Sequence, residues 1–81
     1  KGEYIMDTVK SWGLDEIVEV RGKGLRIGIE IKGSASEIEK VAAQKGLLIL
    51  TAGEHVIRLL PPLVISMDEI NKGLEILKEC L

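Results

Sequence analysis

The sequence predicts one α+β domain over residues 1–81: an antiparallel or mixed four-stranded sheet with helices packed on one face, in the order αββαββα. Three observations predict it. Two pairs of short apolar or alternating segments are each joined by a glycine-containing connection, and three stretches carry an apolar stripe at helical spacing. The core must also be aliphatic, because Tyr4 and Trp12 are the only aromatic residues.

The first helix is carried by Ile5, Val9 and Trp12 at i, i+4 and i+7, with Met6 beside them, and Gly13 is placed to end it in a left-handed turn. No residue ahead of the stripe is a clear N-cap, so the helix is expected to enter from structure lying upstream. Residues 17–21 read as a strand with Val18 and Val20 on one face. Arg21-Gly22-Lys23-Gly24 then has tight-turn composition, and both glycines can supply a positive φ. The next strand alternates, with Leu25, Ile27, Ile29 and Ile31 on one side and Arg26, Gly28, Glu30 and Lys32 on the other.

Ser34 and Ser36 both suit an N-cap, and Glu37 stands at the capping-box distance from Ser34. The helix that follows is expected to reach about Lys45, to bury Ile38, Val41 and Ala42, and to stop at Gly46. Strands are predicted at 47–51 and 56–60. After Pro61-Pro62, Leu63-Val64-Ile65 leads to Ser66, a second N-cap with Glu69 three residues on. The last helix buries Ile70, Leu74, Leu77 and Leu81.

Composition excludes several function classes. A net charge of −2 offers no basic footprint for nucleic acid. No apolar run approaches the roughly 20 residues of a membrane span, and no secretory signal is visible. A single cysteine, Cys80, rules out an internal disulfide and suits a reducing compartment, so a soluble, cytoplasmic chain is expected.

Arg58 is the residue whose chemistry needs an explanation. Alternation puts Val56, Arg58 and Leu60 on one face and Ile57 and Leu59 on the other. A guanidinium in an apolar strand either snorkels, pairs with a carboxylate, or faces a cavity where its planar fork captures an anion. Residue pattern alone favours a surface or ion-paired arginine over an anion-binding one. Gly22-Lys23-Gly24 lacks the spacing and strand-to-helix context of a phosphate loop and reads as a turn. His55 is the one histidine, a solvated loop residue with no second ligand at metal spacing. Cys80 has no histidine partner and reads as a small hydrophobe or an exposed thiol. No catalytic residue and no metal site is predicted.

Three blocks carry a resemblance: Val20-Arg21-Gly22-Lys23-Gly24-Leu25-Arg26-Ile27-Gly28-Ile29-Glu30, then Gly46-Leu47-Leu48-Ile49-Leu50-Thr51-Ala52-Gly53, then Val56-Ile57-Arg58-Leu59-Leu60-Pro61-Pro62-Leu63-Val64-Ile65. Together they resemble the class III aminotransferases, most of all the acetylornithine and ornithine branch. The resemblance implies the C-terminal small domain of a longer, homodimeric fold type I enzyme. It implies pyridoxal 5'-phosphate as that enzyme's cofactor, held by a large domain and a lysine outside these residues. Its substrates would be amino acids and 2-oxo acids, with the amino group passing to 2-oxoglutarate. By the same resemblance Arg58 matches the arginine that binds a substrate carboxylate. The 81 residues alone are expected to hold no cofactor and to be inactive. The alternative, from another class, is a free-standing α+β ligand-sensing or protein-interaction module in which Arg58 makes structural pairs only.

Overall fold

A computed structural model describes residues 1–62 and 64–81. Leu63, quoted above within the third block, lies outside the described residues. The elements run α1 (Gly2–Ser11), β1 (Ile17–Lys23), β2 (Arg26–Ile31), α2 (Ala35–Gln44), β3 (Leu50–Thr51), β4 (Val56–Leu59) and α3 (Met67–Cys80). The four strands form one antiparallel sheet in the order β1-β2-β4-β3. This is the predicted αββαββα arrangement, and the antiparallel of the two predicted sheet types.

Helix and turn signals fall where the sequence places them. Gly13 takes φ 61° behind α1 and Gly46 takes φ 92° behind α2, the left-handed conformation that terminates a helix without a Cβ clash. Lys1 stands at the N-cap of α1 with no side-chain capping bond. Ser34 Oγ accepts from the Glu37 amide, and Ser66 and Glu69 form a complete capping box ahead of α3.

The core lies between the sheet and the helices. Ile27, Ile29 and Ile31 of β2 point into it with Ile57 of β4, and meet Ile5 and Val9 of α1, Ala35 and Ala42 of α2, and Ile70, Leu74 and Leu77 of α3. Burying each large aliphatic side chain contributes about 1.5–3 kcal/mol, and these side chains are the main source of the fold's stability. Cys80 packs against this cluster as a small hydrophobe. No helix among the described residues is long and apolar enough to cross a membrane.

Four details depart from the sequence reading, each for a physical reason. First, Val18 is 54% exposed and does not share a face with Val20, because a register shift between Ile17 and Glu19 resets the alternation; Ile17 and Val20 are the residues packed on the core. Second, only Gly24 of the turn pair has a positive φ (62°). Gly22 sits inside β1, where a Cβ would fall 2.7 Å from the Arg26 carbonyl oxygen and 2.9 Å from Met6 Sδ. Third, α2 turns Ala35, Ile38 and Ala42 inward and leaves Val41 38% exposed, since the two alanines let the helix approach closely. Fourth, the strand expected at 47–51 keeps only Leu50–Thr51. Leu50 pairs with Arg58, so residues before it would need partners at and beyond Leu59, where β4 ends ahead of two prolines that cannot donate.

His55 is an exposed loop residue, as the sequence suggests, and it also ties the loop down. Its Nδ1 donates to the Gly33 carbonyl at 2.7 Å, while the Gly33 amide donates to Glu16 Oε2 at 2.8 Å. The β3–β4 connection is further tied by the Ile31 amide to the His55 carbonyl (2.7 Å) and the Ala35 amide to the Glu54 carbonyl (2.8 Å). The hairpin that carries Arg58 is thereby fastened to the β2–α2 junction.

Candidate functional site

The helices cover one face of the sheet and leave the other open. On that open face, adjacent strands bring one row of residues together: Arg21 of β1 pairs with Gly28 of β2, Gly28 with Arg58 of β4, and Arg58 with Leu50 of β3. Arg58 is exposed, and its chain neighbour Ile57 is fully buried, as the period-2 alternation requires.

The two arginines of the row differ in what they hold. Arg21 Nη1 lies 3.1 Å from Glu19 Oε2 and 3.4 Å from Glu30 Oε1. Arg58 makes no ion pair or side-chain hydrogen bond with any described residue. Glu19 and Glu30 on this face are engaged by Arg21, and the Arg58 fork is uncommitted among the described residues. Its five fixed N–H donors suit bidentate capture of a carboxylate. Beyond the row, Lys23 pairs with Arg26 across the β1–β2 ladder and adds positive charge to the same end of the sheet.

A second concavity, of about 180 Å³, is apolar and separate from this row. Leu47, Leu60, Pro61, Pro62, Ile65 and Leu74 are among the residues that line it, and Glu69 is the one charged lining residue among those described. It offers nothing to an anion. Among the described residues no cluster of three or more histidines, cysteines or carboxylates stands ready for a metal. His55 is bound to a backbone carbonyl. Every one of the eight lysines lies on the surface. The arrangement can bind and orient a carboxylate, and it contains no buried base for proton transfer.

Of the sequence-derived candidates, the structure puts Arg58 on the open face and separates it from His55 and Cys80. The parts missed were Gly28 and Arg21. For Gly28 a signal was available in β2, where one glycine interrupts the outward phase of an otherwise regular Ile-x-Ile-x-Ile strand.

The family model described as aminotransferase class-III matches residues 1–81. The chain is 44% identical over 84 residues to the mitochondrial acetylornithine aminotransferase of Alnus glutinosa, covering all of this chain and 19% of that protein. It is 48% identical over 65 residues to the acetylornithine aminotransferase of Streptococcus mutans, covering 80% of this chain and 17% of that one. The crystal structure of N-acetylornithine aminotransferase from Stenotrophomonas maltophilia superposes with a TM-score of 0.89 at 33% identity, over 98% of this chain and 23% of that one. The chain thus spans about a fifth of the length of the relatives it matches. A family match over every residue, with relatives well above 30% identity and the same fold, has one reading: the chain belongs to the class III aminotransferases.

Proposed function

We propose that these residues are the substrate-carboxylate-binding part of an aminotransferase of the acetylornithine or ornithine type, with Arg58 as the binding residue and 2-oxoglutarate as amino acceptor. The observation that carries the reading is the uncommitted guanidinium of Arg58 on the open face of the sheet, within the 56–65 block that follows the family pattern. The family match over the whole chain supports it over a free-standing ligand-sensing module.

Class III aminotransferases depend on pyridoxal phosphate. When bound, that group supplies the electron sink for chemistry at the substrate Cα. The residues described here do not fit as its anchor, because a lysine used in that way is desolvated and all eight are exposed. The reading therefore assigns the anchoring lysine and the large domain to chain outside these residues, in a homodimeric, cytoplasmic enzyme. Arg58 is left the task of fixing the substrate's orientation by gripping its carboxylate, a contribution that acts through positioning.

The test is Arg58→Lys and Arg58→Ala in the full-length enzyme. Replacing a fork by a point charge is expected to raise KM for the carboxylate substrates by about tenfold, and removing the charge by more. Unchanged KM for both donor and acceptor overturns the assignment. The 81 residues alone are proposed to be inactive. Mixed with pyridoxal phosphate and borohydride, they should give no stoichiometric adduct at a single lysine and no transamination.

A further inference from the structure

Gly28 has no reason in this chain's own packing to be glycine. Its φ is not positive, unlike those of Gly13, Gly24, Gly46 and Gly53. A Cβ added there would meet Val56 Cγ1 at 3.8 Å, Arg21 Cγ at 3.9 Å and the Arg21 carbonyl oxygen at 3.9 Å, all ordinary van der Waals contacts. Gly2, Gly22 and Gly33 are different, since a Cβ at each would come within 3.0 Å of a neighbouring atom. Glycine inside a strand costs about 0.5–1 kcal/mol relative to alanine and often marks a place where a ligand or another backbone comes close.

The position of this gap is specific. Val56 and Arg21, the side chains that the missing Cβ would touch, stand on the open face, so the gap opens there too. Gly28 is the direct cross-strand partner of Arg58. On the other flank of Arg58 stands Leu50, which is apolar and half exposed. On the far side of Gly28, Arg21 engages Glu19 and Glu30, which would otherwise compete for the Arg58 guanidinium. An anion gripped by Arg58 therefore has a seat beside it, over the bare β2 backbone at Gly28, between Val56 and Arg21.

We infer that Gly28 is the floor of the carboxylate subsite: the space left by its missing side chain receives the carboxylate of an amino acid or 2-oxo acid while Arg58 closes on it. Gly28 acts as a specificity-determining residue by leaving room. Any side chain at 28 occupies the volume that the carboxylate needs and pushes it off the arginine fork. The inference rests on the assignment of Arg58 as the carboxylate-binding residue.

The experiment uses the full-length enzyme as wild type, Gly28→Ala, Arg58→Ala and the double variant. It reads kcat, KM for donor and acceptor, the inhibition constant of glutarate as a non-reacting carboxylate probe, and the thermal midpoint. Gly28→Ala is expected to raise KM and the glutarate constant by about tenfold with kcat changed less than about threefold and the midpoint held or raised. In the Arg58→Ala background the same change should add less than about twofold, because the shared ligand contact is already lost. If Arg58→Ala weakens binding and Gly28→Ala does not, the role of Gly28 is overturned and that of Arg58 stands. If Arg58→Ala leaves KM and glutarate binding unchanged, the reading beneath both fails. A Gly28→Ala enzyme that folds poorly, or whose midpoint falls with KM unchanged, also overturns the inference, because the gap is then filled by protein.

Discussion

Ile57 and Arg58 are adjacent in β4 and face opposite ways: Ile57 is sealed beneath the sheet against Ile29, and Arg58 stands on the open side opposite Gly28. The buried neighbour holds the strand in register, and the register determines which backbone lies under the guanidinium. A one-residue slip would exchange the two faces and bury the charge. Binding geometry and core packing are thus coupled through one peptide unit.

Ile57→Ala should destabilise the chain by about 2–5 kcal/mol, the usual cost of truncating a buried isoleucine. That is a large part of the total stability of a small domain. Urea denaturation of the variant checks it. A loss below about 1 kcal/mol would mean that the core collapses around the gap.

Gly24→Ala should cost about 1–2 kcal/mol, because Gly24 holds φ 62° in the two-residue connection between β1 and β2. Gly28→Ala, in the next strand, carries no such penalty. Thermal melts of the two variants, side by side, separate a glycine required by backbone conformation from one that the fold tolerates losing.

Ser66→Ala should cost about 1 kcal/mol by removing the cap of α3. It should also alter the acid limb of stability. The hydrogen bonds from the Ser66 backbone amide, and then from its hydroxyl, hold the Glu69 carboxyl below its ordinary value. A carboxyl depressed in the folded state stabilises the fold above its unfolded value, about pH 4.3, and loses that contribution as the pH falls through the lower folded value. Glu69→Gln should flatten this segment of the pH–stability curve, as measured by urea midpoints across it.

Arg21→Gln releases Glu19 and Glu30 on the open face. Both ion pairs are solvent-exposed, so stability should move by less than about 1 kcal/mol. In the full-length enzyme KM for the carboxylate substrates should rise about two- to fivefold, through repulsion and competition for Arg58, and the rise should shrink with added salt. A KM that is insensitive to Arg21 would show that the two glutamates do not reach the bound anion.

Element order, caps and the outward direction of Arg58 were legible because each rests on local chemistry: serine at a helix start, glycine behind a helix end, alternation along β4. Val18 was misplaced because a bulge adds one residue to the count and leaves no compositional mark. The strand expected at 47–51 was overextended because its length depends on donors supplied by a partner strand, and Pro61-Pro62 removes them from outside that segment. Arg58 looked bland by pattern because a lone cation acquires meaning only from the residues across the ladder, and strand pairing brings Gly28 to it from thirty positions earlier in the chain.

The irregularities of the outer strands have an effect of their own. β1, at one margin of the sheet, is bulged between Ile17 and Glu19 and carries Glu19, Arg21 and Lys23. β3, at the other margin, is two residues long. A free strand margin is the template on which proteins add a foreign strand and begin to stack into fibrils, and bulges, charge and shortness are the means that suppress it. Both margins of this sheet are blunted in that way, so the β-structure has little means of propagating from one molecule to the next.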